Sequence, residues 1–267
     1  MSATAAAPGM IDISASTKVP FSRLVRVELR KMVDTLSGRW LLISVAALTA
    51  LVLVIQLWVV LAQDLVVTFN DFAAGANVPM NILLPVLGVM SVTSEWTQRT
   101  AMVTFSLEPS RSRFLAAKYV STLIVALVAV VVGLALTIAA NLVYAGLSDN
   151  PVTWGVTAFQ VLCIFLLYLF AMSTGFAFGM LLLNTAAAIV VYFVYSLILP
   201  GLFELGAALI SWFKDVRPWV DFNYAQTPLT EADVSAQEWG QIVTSGLIWL
   251  VLPLLIGVWR VMRAEVK

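Results

Sequence analysis

The sequence has no histidine and a single cysteine, Cys163. Without histidine, the commonest metal ligand and the usual proton shuttle are both missing. One thiol cannot form an intramolecular disulfide, and Cys163 sits in an apolar run where a packed core thiol is expected. Charge is scarce too: Asp, Glu, Lys and Arg make up 11% of the 267 residues, and 15 basic groups balance 15 acidic ones. There is no Gly-x-x-x-x-Gly-Lys-Ser/Thr loop, so ATP binding of the usual kind is excluded. His-Glu-x-x-His and Gly-x-Ser-x-Gly are absent as well, which removes the constellations expected of a membrane protease or esterase. No catalytic residue, metal ligand, resident cofactor or nucleic-acid partner is therefore expected, and the chain is not an enzyme by itself.

What the sequence has in excess is apolar side chain. It is 61% hydrophobic, with a mean hydropathy of +0.97. A soluble domain is about 45–50% apolar and about 25% charged. A chain this apolar cannot cover a core with polar surface, and the bilayer is the natural solvent for the excess. Residues 1–19 are rich in Ala, Ser and Thr, lack a basic start and a long apolar core, and read as a disordered cytoplasmic tail.

A helix needs about 20 mostly apolar residues to cross about 30 Å of hydrocarbon. Six runs qualify: 40–62, 78–94, 114–144, 152–183, 185–203 and 239–259. The second is short and the fourth longer than a bilayer needs. Asn150-Pro151 reads as a cap with proline at the first helical position, and Ser235 with Glu238 as a capping box. Asn184 marks a tight turn between spans four and five, and Pro200-Gly201 is expected to break the fifth span near its end.

Charge placement orients the spans. Thirteen of the 15 basic residues lie before span one, between spans two and three with the start of span three, or after span six. The first and third loops carry Asp64, Asp71 and Asp149 with nothing basic, and the fifth is mainly acidic. The positive-inside rule then puts both ends in the cytoplasm. The expected fold is all-α: one six-helix membrane domain over 20–267, N-in and C-in.

Three stretches outside the spans stand out. Residues 20–38 place Phe21, Leu24, Val25, Met32, Val33 and Leu36 on one face, and Arg23, Arg26, Arg30 and Lys31 on the other. This is an amphipathic elbow helix suited to the inner leaflet, with Gly38 as its terminator. It serves either as a plain orientation anchor or also as a contact for a cytoplasmic partner. Residues 95–113, with Lys118 opening the next span, are too long and too mixed for a simple connector. They suit docking of another protein, against the plainer reading of a solvated basic loop. Residues 201–240 carry Leu205, Ala208, Leu209, Trp212, Phe213 and Val216 at helical spacing, which fits an outer-interface helix acting as a gate or merely as a lid. Inside the spans no acid or base lies deep. Gln56, Asn141, Ser173, Thr174 and Ser196 either line a path or bond helix to helix, and Gly175 with Gly179 marks close helix packing.

The order Glu95, Thr100, Pro109-x-Arg111 and then Lys118 at the next span resembles the permeases of type-2 ABC exporters, where Gly often stands in place of Arg99. The architecture resembles theirs too: six spans, an amphipathic elbow, a coupling helix in the first inner loop, and a longer external segment before span six. The resemblance implies a permease in a prokaryotic plasma membrane that pairs with a second copy, as homodimer or heterodimer. A separate ATP-binding subunit, holding ATP and Mg, would dock on Glu95, Trp96, Gln98, Arg99, Thr100, Pro109 and Arg111. The cargo would be a hydrophobic or amphipathic drug, antibiotic, lipid or peptide, with Gln56, Asn141, Ser196, Trp212 and Phe213 as candidates for the path or gate. The rivals are a same-fold permease for metal-linked or sodium export and a non-transporting membrane scaffold. A secondary carrier is disfavoured by the lack of charge within the spans.

Overall fold

The computed structural model describes residues 19–108, 110–148 and 154–263. Residues 1–18, Pro109 and the Asn150-Pro151 cap fall outside them. The described residues contain helices and no strand. Six helices are long and apolar enough to cross a membrane: Leu36–Ala62, Phe69–Thr97, Arg111–Leu147, Ala158–Leu182, Thr185–Leu209 and Ala236–Arg263.

The chain opens with α1 (Phe21–Asp34), which buries Val25 and Met32 and exposes Arg23, Arg26 and Arg30. Lys31 departs from the expected basic face and turns inward. Gly38 does not end this helix either. Thr35 breaks the chain in an extended conformation and caps α2 (Leu36–Ala62), its Oγ1 accepting the Gly38 N–H at 3.3 Å. Gly38 lies in the first turn of α2, where an added Cβ would sit 2.0 Å from the Met32 carbonyl. Its smallness allows two helices to meet at a sharp corner.

The second span is not short. α3 (Phe69–Thr97) starts nine residues earlier than hydropathy placed it. Its polar first turns are satisfied: the Thr68 N–H donates to the Asp71 carboxylate at 2.7 Å, and Tyr168 donates to Asn77. α4 (Ala101–Leu107) is short, and α5 (Arg111–Leu147) has 37 residues. At 1.5 Å per residue α5 is about 55 Å long, well beyond a bilayer core of about 30 Å. α6 (Ala158–Leu182) starts at a Thr157 cap, six residues after the hydropathy limit. The turn to α7 (Thr185–Phe193) is as tight as Asn184 implied, with its Oδ1 accepting the Ala187 N–H at 3.0 Å.

Pro200-Gly201 does not break the fifth span. A π turn over Val194–Ile198 precedes it, Leu199 N–H reaches back to the Val194 carbonyl, and α8 (Leu199–Leu209) continues with Pro200 in its first turn. Proline cannot donate to the carbonyl four residues back, and the wider turn absorbs the mismatch. The sixth span repeats the device. α12 (Ala236–Gly246) passes through a π turn at Leu247–Val251 into α13 (Leu252–Arg263), with Pro253 next in line. The capping box at Ser235 and Glu238 forms as its spacing indicated. The amphipathic helix expected across 205–216 is split at Ile210, which is extended; α9 (Ser211–Val220) follows, then the short α10 (Phe222–Ala225) and α11 (Thr227–Glu231).

The centre of the bundle is the pair α3 and α6, the two spans with the most buried surface. They run parallel, since Gly175 meets Pro85 and Gly179 meets Val89 farther along both helices. A Cβ on Gly175 would lie 2.1 Å from the Pro85 carbonyl oxygen, and one on Gly88 would lie 2.4 Å from the Met172 carbonyl. This is the close packing expected from Gly175 and Gly179, and in lipid it supplies dispersion contact where no hydrophobic drive exists between helices. Arg113 bonds the Val19 carbonyl and Arg111 bonds those of Val261 and Met262, so both described chain ends lie at the start of α5.

Gly175→Ala is expected to push α3 and α6 apart and to cost about 1–3 kcal/mol. Gly201→Ala, where an added Cβ meets nothing within 4 Å, should be neutral or stabilising by up to about 1 kcal/mol. Thermal unfolding of the two variants in detergent checks the contrast.

Candidate functional site

The motif residues converge at the end of α3. Its last turn closes with the Thr100 N–H on the Glu95 carbonyl at 2.9 Å and the Arg99 N–H on the Trp96 carbonyl at 3.2 Å. This is a Schellman arrangement, whose turn residue adopts the left-handed conformation and is usually glycine. Arg99 occupies that position, with φ of 58°. An L residue there carries roughly 1–2 kcal/mol of strain. The reversal aims α4 back beneath the bundle. Trp96, Phe105 and Phe114 stack edge to face, with centroids 6.3 and 5.6 Å apart, and fix α4 against α5. The Arg111 guanidinium lies over the Phe105 ring at 4.9 Å while bonding the last carbonyls of α13.

Beneath this turn lies a buried ionic cluster. Lys118 Nζ donates to Glu28 Oε2 at 2.6 Å, to the Ser91 carbonyl at 2.9 Å and to Glu95 Oε1 at 3.3 Å. Those are three acceptors for the three protons an ammonium carries. Lys31 Nζ donates to Glu28 Oε1 at 2.6 Å and to Glu95 Oε1 at 2.8 Å. Two acids and two bases cancel, and they tie α1, α3 and α5 at one point. Burying ions costs several kcal/mol each unless they are paired and hydrogen-bonded; Lys118 and Glu28, the two most buried, each meet both partners, while Lys31 stays 40% exposed at the edge. Burial alone would push the Glu28 carboxyl up, but Lys118 and Lys31 beside it outweigh that and hold it below its ordinary value. Burial would likewise lower Lys31, yet Glu28 and Glu95 raise it.

A cavity of about 330 Å³ opens beside the cluster, lined among others by Thr35, Ser94, Gln98, Thr104 and Lys118. Glu95 is 7% exposed and engaged within the chain, so it is no surface contact. The outward-facing groups are Gln98, Arg99 and Thr100, with Met102 and Val103 of α4 at 53% and 60% exposure. No protein-family model matches the sequence, and no curated protein matches it.

The cluster gathers Glu95, Lys31 and Lys118 from the sequence expectations, and Thr100 bonds the Glu95 carbonyl beside it. Arg23, Arg26 and Arg30 stay on the exposed face of α1, and Pro109 lies outside the described residues. The path and gate candidates are elsewhere. Gln56 Nε2 donates to the Asp71 carbonyl at 2.8 Å, and its oxygen is buried without a partner among the described residues. Asn141 is 1% exposed, and neither atom of its amide has a partner among the described residues. Ser196 lies in the first π turn beside a second, polar cavity. Phe213 packs on Phe203 at 5.9 Å, while Trp212 is 64% exposed. Sequence reasoning missed Glu28, whose signal was there to read: it is an acid set between Arg26 and Arg30, three residues before Lys31.

Lys118→Met should cost about 3–5 kcal/mol by leaving two carboxylates facing one ammonium, and adding Glu28→Gln should recover much of that loss in a double-mutant cycle. Because Glu28 is held low, its contribution is present above the ordinary carboxylate value of 4.5 and lost as pH falls through the lowered one. Because Lys31 is held high, its contribution is present below 10.5 and lost as pH rises through the raised value. Arg99→Gly should raise stability by up to about 1 kcal/mol by removing backbone strain. Unfolding of the chain and of these variants measured against pH in detergent reads all four effects.

Proposed function

We propose that this chain is the permease subunit of a type-2 ABC exporter, moving a hydrophobic or amphipathic compound outward across a prokaryotic plasma membrane. The observation that carries this reading is the joint at the end of α3. There the motif residues Glu95, Thr100 and Lys118 form one unit with α1 and α4. Such a joint passes a displacement of α4 on to α3 and α5: Phe105 holds α4 to Trp96 and Phe114, and separating α1, α3 or α5 from the cluster strands a buried charge. Exposed Met102 and Val103 beside Gln98 and Arg99 mix apolar and polar contact, as a docking surface for another protein requires.

In this reading the energy enters through a separate ATP-binding subunit that holds ATP and Mg and seats on α4. A second permease, identical or a sister chain, completes the assembly. The exposed arginines of α1 lie on the anionic inner leaflet, both chain ends are cytoplasmic, and the 201–240 segment faces outward.

Co-expressed with an ATP-binding protein encoded beside it, the chain should co-purify with that protein. Arg99→Glu with Val103→Glu should reduce capture and stimulated ATP hydrolysis at least about tenfold, the scale of a lost interface hot spot. An undiminished complex would remove this loop from the docking role, and failure to capture any ATP-binding protein would remove the exporter reading. For orientation, single cysteines at Asn70 and Asp233 should label from outside intact cells and one at Ser110 should not. Native Cys163 is buried and contributes little background.

A further inference from the structure

The second cavity lies near the middle of the spans. The two π turns meet there: Tyr195 of the first stacks on Trp249 of the second, with centroids 5.0 Å apart. Such turns are frequent at functional sites. Against them α10 and α11 fold back along α6, where Phe222 meets Phe170 at 5.6 Å. Phe170 is twelve residues into α6, about 18 Å from its start. Between these elements and α3 is a cavity of about 280 Å³.

Its wall carries ten hydrogen-bonding side chains and no charged one, among them Asn77, Asn81, Ser196, Asn223 and Gln226. Asn77 and Asn81 stand one turn apart on α3. Asn81 is near the midpoint of that span, exposed, and without a hydrogen-bond partner among the described residues. An unpaired amide away from water costs roughly 1–3 kcal/mol, a cost offset when something in the cavity bonds it. The nearby acid, Asp221, is already engaged by Arg217 at 3.3 Å and by the Tyr224 N–H at 3.1 Å. An ion entering the cavity would find no counter-charge and would lose several kcal/mol of hydration. Neutral hydroxyls and amides would find donors, acceptors and the flat faces of Tyr192, Phe193 and Tyr195. At the rim Ile82 and Leu197 are 40% and 66% exposed, so the mouth is apolar.

We propose that this cavity binds the uncharged, hydroxyl- or amide-bearing head group of an amphiphile whose apolar tail stays at the Ile82–Leu197 rim. The assignment stands independently of any ATP-binding partner. The test uses the full chain alone in lipid nanodiscs, with three octyl probes bearing the same photoreactive group: a glucoside, an ammonium and a carboxylate. The glucoside should label peptides containing Asn81 or residues 223–230 at least fivefold more than either charged probe. Asn81→Leu should reduce that labelling about fivefold, and Asn81→Asp should shift preference toward the ammonium probe. Both variants alter an exposed side chain, so an unchanged unfolding temperature reports intact folding. Equal labelling by the charged probes, or glucoside labelling unchanged in both variants, would overturn the assignment and leave the exporter reading untouched.

Discussion

The close approach of α3 to α6 sets the rest of the molecule. Lipid offers no hydrophobic reward for bringing two apolar helices together, so their association rests on contact and on bonds. Gly88, Gly175 and Gly179 remove the side chains that would hold the backbones apart. Pro79 and Pro85 are tolerated within α3 because neighbouring helices can satisfy the groups a proline frees. Thr93 and Thr97 bond Thr185 at 2.7 and 3.0 Å, which adds the start of α7 to the pair. α5 packs antiparallel to α3 and also touches α1, α2 and α6, and the chain between α3 and α5 reverses tightly at Arg99.

Two polar regions flank this pair, and their chemistry follows their depth. The ionic cluster sits at the end of the bundle, in the last turn of α3 and the early turns of α5. Charge is tolerated there because two acids face two bases at 2.6–3.3 Å and all three Lys118 protons have acceptors. The second region lies at mid-span and contains only neutral groups, as expected where an ion would have neither water nor a counter-ion. The first is suited to transmitting force between helices and the second to holding a neutral solute. α3 contributes to both, through Glu95 at its end and Asn81 at its middle.

Much of the layout was legible in the residues. Six apolar runs became six helices, Asn184 made its turn, and the Ser235–Glu238 box closed. The errors share a cause: local rules were read without their neighbours. Gly38 looked like a stop and is instead a corner where α1 meets α2. Pro200-Gly201 looked like a break, but a π turn upstream carried the helix on to Leu209. Residues 70–77, with polar Asn70, Asp71 and Asn77, fell before the apolar run, yet capping by Asp71 and pairing of Asn77 with Tyr168 brought them into α3. Lys31 looked like part of a basic face until Glu95, 64 residues away in sequence, drew it inward.

By itself, then, the sequence determined how many helices are long and apolar enough to cross a membrane and where the charges fall, because hydropathy and charge placement are properties of consecutive residues. It also carried the motif from Glu95 to Lys118. Tertiary structure alone decided that Glu28, Lys31, Glu95 and Lys118 form one neutral cluster, and that Asn77, Asn81, Ser196, Asn223 and Gln226 share one cavity. Those groups come from different helices, and only the parallel docking of α6 on α3, with α10 and α11 folded back along it, brings them within reach of one another.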